Sequence, residues 1–317
     1  MPQRIAYIDM AKGIGILLVY IGHCNKGTPD ISHLIEWIYA FHMPLFFFVS
    51  GLLFPDKKLS AITFYRNKFA SLVVPYILFS IFNYALLKLF HLPAGAIGIL
   101  LHGWGQNALW FIPILFLANV VHFHIINGRW WEKIIAVLIL LLCLVWKVHT
   151  NGWASYSISE LPWFYLCFLS GYFMKDIAHK AETIKFSWIY GVVGFIIMTL
   201  IIFLIAYPYN SNYRNHDDDF VCWLLKYGIG LLGTISTLFI SISLCKTSLL
   251  KKSFSWLGRN SLVILCTHQL FYNILQTVNY QPVIRGGYNH LIIWILVMTM
   301  IMLYNRYIEP FIKRIHS

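Results

Sequence analysis

Asp9, Lys12 and His23 stand within one apolar run near the start of the chain. Lys12 and His23 are eleven residues apart, close to three full turns of an α-helix. They therefore share nearly the same face, about 16 Å apart along the axis. Asp9 precedes Lys12 by three residues, the spacing at which a carboxylate and an ammonium pair on a helix. An imidazole titrates near neutrality and suits general acid–base work. A lysine held by a carboxylate suits positioning a donor or countering negative charge in a transfer step. The plainer reading of Asp9 and Lys12 is a packing pair at a membrane boundary, with Lys12 reaching out to water. Gly13, Gly15 and Gly22 would let a neighbouring helix or a ligand approach this backbone closely.

Further along, Glu36 opens a second apolar stretch that reaches His42-Met43-Pro44 midway. Pro44 should kink that helix and free a carbonyl, tolerated in lipid only where protein or water satisfies it, so His42 could line a cavity. Arg66 and Lys68 lie before a third apolar run, where basic residues either anchor topology or contact phosphate. Trp110 sits at a segment boundary, the usual place of an aromatic belt. Late in the chain, Gly258-Arg259-Asn260-Ser261 opens an apolar segment containing His268; Asn260 and Ser261 could cap that helix or bind a ligand. His122, His124 and His290 read as structural. The cysteines Cys24, Cys143, Cys167, Cys222, Cys245 and Cys266 lack C-x-x-C spacing and read as buried apolar residues, so neither metal nor disulfide is expected. No P-loop, H-E-x-x-H, G-x-S-x-G or G-x-G-x-x-G pattern is present.

The elements that must position these groups are membrane helices. Of the 317 residues, 59% are apolar and only 11% charged, against about 45–50% and about 25% in an ordinary soluble domain. The surplus needs lipid as its solvent. The formal net charge of +12 is spread over short loops rather than gathered in one stripe, so no nucleic-acid partner is expected. Runs long enough to cross a bilayer fall near 6–24, 34–54, 69–90, 108–126, 133–148, 158–174, 187–207, 220–244, 257–277 and 290–309. The run at Ala94–His102 could be re-entrant or interfacial. The fold class expected is all-α, a polytopic membrane protein of about ten spans forming one domain over residues 1–317. No polar stretch is long enough for a separate soluble domain, and Asp9 and Lys12 argue against a cleaved signal.

Loop charges orient the spans. One side has Arg4, Lys57, Lys58, Arg66, Lys68, Arg129, Lys133, Lys175, Lys180, Lys185, Lys246, Lys251, Lys252, Arg306, Lys313 and Arg314; the other has Lys26, Arg214 and Arg285. Sixteen against three places the first side, and both termini, in the cytoplasm. The acidic run Asp217-Asp218-Asp219 falls outside and reads as a solvated loop.

The ordered set of motifs resembles the membrane acyltransferase-3 family. Ile8-Asp9-Met10-Ala11-Lys12-Gly13 followed by Gly22-His23 is similar to its first helix, with a basic residue, ten positions and a histidine. Phe41-His42-Met43-Pro44-Leu45-Phe46-Phe47 with Val49-Ser50-Gly51, then Leu109-Trp110-Phe111-Ile112-Pro113, then Leu257-Gly258-Arg259-Asn260-Ser261 with His268, follow in the family's order. One departure stands out: the family often places R-x-x-R before a proline at the third helix, where this chain has Arg66-Asn67-Lys68-Phe69-Ala70-Ser71. The resemblance implies ten helices and a stand-alone, fucose 4-O-acetylase-like sugar O-acetyltransferase. It implies acetyl-CoA as co-substrate with no bound cofactor, and a carbohydrate or glycolipid hydroxyl as acceptor. His23 would be general base, or would carry a transient acyl group; Lys12, Asp9 and Glu36 would assist. Arg66, Lys68 and Arg259 would meet the donor's phosphates, and His42, Trp110, Asn260, Ser261 and His268 would line the donor or acceptor site. The expected location is a bacterial inner membrane. A transporter or flippase for a polar solute or lipid-linked sugar is the rival; no internal repeat speaks for it. A sensor or partner subunit without turnover is a third reading.

Overall fold

The computed structural model describes residues 5–24, 31–55, 59–92, 107–150, 160–211, 219–278 and 287–316. Arg4, Lys26, Lys57, Lys58, Arg214, Arg285, Asp217, Asp218 and the run Ala94–His102 lie outside these residues. Every regular element among the described residues is helical: α1 (Ala6–Cys24), α2 (Ser32–Tyr39), α3 (His42–Leu52), α4 (Ala61–Lys68), α5 (Val74–Leu89), α6 (Phe111–Asn127), α7 (Trp130–Thr150), α8 (Leu161–Phe173), α9 (Lys175–Ala181), α10 (Ser187–Ile201), α11 (Phe220–Leu244), α12 (Ser248–Arg259), α13 (Ser261–Val278), α14 (Gly287–Leu303) and α15 (Glu309–His316). Seven continuous stretches among them are long and apolar enough to cross a membrane: Ala6–Cys24, Ser32–Leu52, Ala61–Leu89, Ala108–Asn127, Ser187–Tyr209, Phe220–Leu244 and Asn289–Ile315. The remaining expected spans overlap α7, α8 and α13, which are not among these seven; α8 is a shorter apolar helix. The outer face of α7 exposes Leu138, Leu142 and Val145, a surface that only lipid can cover. This is an all-α polytopic membrane protein.

Three boundaries differ from the sequence expectation, each for a backbone reason. The second span breaks at Ala40–Phe41 instead of bending at Pro44. A proline ring clashes with the carbonyl four residues earlier, here that of Ala40, so the helix stops and restarts with Pro44 in the first turn of α3. The third span begins at Ala61, capped by the Ser60 hydroxyl, which accepts from the Thr63 N–H at 3.2 Å. It is therefore helical well before residue 69, and a π turn at Phe69–Val73 absorbs Pro75. The expected span 257–277 is two helices, α12 and α13, divided at Asn260. Of the acidic run, Asp219 is described: its carboxylate accepts from the Val221 N–H at 2.8 Å and caps α11, and that bond holds the carboxyl below the usual carboxylate range.

Contacts gather the chain into two compact units, residues 1–55 with 118–261 and residues 56–117 with 262–317. In the first unit, close helix pairs meet through glycines. A Cβ on Gly13 of α1 would strike the Phe254 carbonyl of α12, and one on Gly258 would strike the Asp9 carbonyl. Gly51 of α3 and Gly171 of α8 repeat the arrangement, against the carbonyls of Phe168 and Phe48. Gly191 and Gly194 of α10 seat against Ser236 of α11. Between lipid-covered helices there is little hydrophobic drive, so such backbone approach supplies the attraction. In the second unit, buried Asn83 of α5 donates to the carbonyls of Phe79 at 2.7 Å and Cys266 of α13 at 3.1 Å, and Phe79 stacks on Tyr304.

Gly13→Val or Gly258→Val should destabilise the purified protein by about 1–3 kcal/mol through overpacking. Gly228→Ala, where an added Cβ meets nothing within 4 Å, should stabilise by up to about 1 kcal/mol. Thermal unfolding in detergent measures both, and equal shifts in one direction would contradict the packing described.

Candidate active site

Asp9 and Lys12 form the expected pair: Lys12 Nζ lies 3.3 Å from Asp9 Oδ1, and both side chains are mostly buried. The pair sits where α12 presses on α1. The Asp9 carbonyl faces Gly258, and the Ser255 hydroxyl donates to the Ala6 carbonyl at 3.3 Å. Arg259 at the end of α12 is exposed. Buried Asn260 turns its amide back onto the Trp256 carbonyl at 2.9 Å and so closes α12. This bond caps the end of α12. Ser261 is half-buried at the following position.

At the other end of α1, half-buried His23 meets two rings from the second span. Its centroid is 5.6 Å from that of Tyr39 and 6.5 Å from that of His42, nearly perpendicular to the latter at 86°. Tyr39 and His42 are themselves 5.2 Å apart. Each is held. The Tyr39 hydroxyl donates to the Gly22 carbonyl at 2.9 Å, and a Cβ on Gly22 would collide with the Tyr39 ring. His42 is buried, and its Nδ1–H donates to the Ile38 carbonyl at 2.9 Å. That carbonyl lies at the end of α2, beside the break, and also accepts from the Phe41 N–H at 3.3 Å; the carbonyl that Pro44 leaves without a helical N–H is that of Ala40. The bond from His42 to Ile38 sets the tautomer: in neutral His42 the lone pair is on Nε2. Two imidazoles and a phenol thus cluster together, able to accept, donate or relay a proton. Glu36 lies 4.0 Å from His33 Nδ1; the geometry here joins His23 to Tyr39 and His42.

The other candidates belong to the second unit. Arg66 is exposed and Lys68 half-buried on α4. Two residues apart on a helix they point about 200° apart, so they cannot present one face as an i, i+3 pair would. Trp110 ends a short 3-10 turn at Asn107–Trp110. His268 is buried in α13, with Nδ1 donating to the Ile264 carbonyl at 2.7 Å. His124, read as structural, pairs with Glu132 at 2.7 Å across the turn at Gly128. Among the described residues no group of three or more His, Cys, Asp or Glu could hold a metal ion.

Sequence reasoning passed over Tyr39. Its signals were present: a glycine immediately before His23, and an aromatic three residues before His42. Neither carries information about which helix packs on which.

A family model described as an acyltransferase domain, that of the acyltransferase-3 family, matches residues 5–304, and the chain belongs to that family, the membrane acyltransferases. No curated protein and no solved structure matches it.

Tyr39→Phe, which keeps the ring and deletes its bond to Gly22, should lower stability by about 1 kcal/mol and reduce turnover by more than that loss implies. His42→Ala should cost a similar amount through the Ile38 carbonyl. Differential scanning fluorimetry beside a turnover assay checks both; a Tyr39→Phe protein of full activity would detach Tyr39 from the site.

Proposed function

We propose that the protein transfers acetyl from acetyl-CoA to a hydroxyl of a carbohydrate or lipid-linked sugar, with His23 as general base. The observation behind this reading is the seating of His23 against Tyr39 and His42, on a helix whose opposite end bears the Asp9–Lys12 pair. As the acceptor oxygen attacks the thioester carbonyl, His23 takes its proton. The carbon–sulfur bond then breaks, and the thiolate leaves and is protonated as free CoA. Tyr39 and His42 orient the imidazole that receives the proton. Lys12, held by Asp9, positions the donor, and Arg259 meets its phosphates. In this reading ten spans place both termini in the cytoplasm of a bacterial cell, with the donor entering at the Asp9–Lys12 end and the acceptor meeting His23 at the other.

Purified protein should release CoA thiol from acetyl-CoA and label an acceptor. His23→Ala should lower kcat by about 10²–10⁴-fold, the usual contribution of a positioned base. Lys12→Met should raise KM for acetyl-CoA by about tenfold. Undiminished acceptor labelling in a well-folded His23→Ala protein would remove His23 from the chemistry. Solute uptake into proteoliposomes with no acyl-CoA consumed would point to transport instead.

A further inference from the structure

A second set of polar groups lies in the first unit, outside the residues assigned above. Lys226 of α11, seven residues into a membrane-spanning helix, pairs with Glu160 at 3.7 Å. Its ammonium also stands 4.8 Å over the ring of Trp163. Trp163 is 4% exposed, and its Nε1–H is buried with no hydrogen-bond partner. The neighbouring Tyr227 hydroxyl is bonded to Ser170 Oγ at 2.6 Å. Trp223, on the same helical face as Lys226, stacks on Tyr227 with centroids 6.0 Å apart and rings 13° from parallel. Trp223 and Tyr227 are both half-exposed.

Helix register places this set at the same level along α3 as the candidate active site. Gly230 of α11 seats against Pro44 and the Ala40 carbonyl, while Leu238 and Ile242 of α11 share a core with Phe48 and Leu52 of α3. Phe164 of α8 stacks on Phe47 at 4.3 Å, and Lys175, beyond the end of α8, donates to the Phe54 carbonyl. Residue numbers rise together along all three helices, so α8 and α11 run the same way as α3. Lys226 is one turn before Gly230, and Glu160 one turn before Phe164, about 6 Å in each case. Both members of the pair therefore stand near the level of the Ala40–Phe41 break, where His42 and Tyr39 meet His23.

We infer that Glu160, Trp163 and Lys226, with the faces of Trp223 and Tyr227, form a subsite for a neutral polyhydroxylated acceptor, a sugar ring. The chemistry is complementary. A carboxylate accepts from hydroxyls, an ammonium and an indole N–H donate to them, and aromatic faces cover the C–H side of the ring. Glu160 disfavours an anionic ligand, and a neutral one leaves the pair balanced. Carrying Lys226 into a membrane helix costs free energy that packing alone does not require. This assignment rests on the acetyl-transfer reading above and names where its acceptor binds.

Full-length protein in nanodiscs would be titrated with methyl glucoside, methyl galactoside and methyl mannoside by saturation-transfer NMR without donor, and assayed in parallel for acetyl-CoA consumption. At least one glycoside should bind, and Glu160→Gln and Trp163→Phe should each weaken it by about tenfold. Single variants that break the pair also lose thermal stability, so the deciding protein is Glu160→Gln combined with Lys226→Met. The double variant should regain thermal stability yet fail to recover glycoside binding. Binding restored in it would make the pair structural and overturn the subsite. Acetyl-CoA consumption by wild type that binds none of the glycosides would overturn the subsite and leave acetyl transfer standing. Glycoside binding that depends on Glu160 without any acyl-CoA consumption would do the reverse.

Discussion

In hydrocarbon no water is at hand to satisfy a backbone carbonyl, and each one left bare costs several kcal/mol. Pro44 raises that cost in the middle of the second span, since it forbids the helix from running on past Ala40. The chain stops at Ala40–Phe41, starts again, and gives the Ile38 carbonyl to the imidazole of His42. That bond orients a buried candidate active-site histidine beside the break and sets its tautomer. Tyr39, the last residue of α2, gives its hydroxyl to the carbonyl of Gly22 beside His23. Pro75 poses the same problem in the third span and is met differently, by widening to a π turn. Polar side chains gather at the first of these breaks.

Glycine contacts determine where those repaired helices stand. α12 is strongly amphipathic and α1 is not, yet the two meet backbone to backbone through Gly13 and Gly258. That approach puts the Asp9 carbonyl against α12 and leaves the Asp9 carboxylate for Lys12. The family's basic-residue and histidine spacing on α1 thereby becomes a physical axis, with an ion pair at one end and an imidazole at the other. α3 is held in turn between α1, α8 and α11, through Gly51, Gly171 and Gly230. A bundle made this way tolerates little side-chain growth at the contacts, because the neighbour is backbone and cannot rotate away.

Much of this was legible in residue order. The apolar runs marked the helices, because a bilayer of fixed thickness demands about 20 apolar residues per span. The pairing of Asp9 with Lys12 follows from helical spacing alone. Other features were hidden. Arg66 and Lys68 looked like one basic pair because the start of their helix at Ala61 was not apparent, and helical phase sets them on different faces. The amide of Asn260 also bonds back to Trp256 and closes the preceding helix, a contact that the spacing did not reveal. Pro44 was correctly a disturbance, yet its effect appears four residues upstream, where the ring's clash is felt.

Sequence alone determined the class of protein, the helical material and the pairing of Asp9 with Lys12, because these depend on hydropathy and on spacing within one element. Tertiary structure decided which side chains meet. His23 has Tyr39 and His42 beside it, and Lys226 has Glu160, only because particular glycines allow particular helices to touch. Residues distant in the chain share a site through helix packing, and no local period in the sequence encodes that packing.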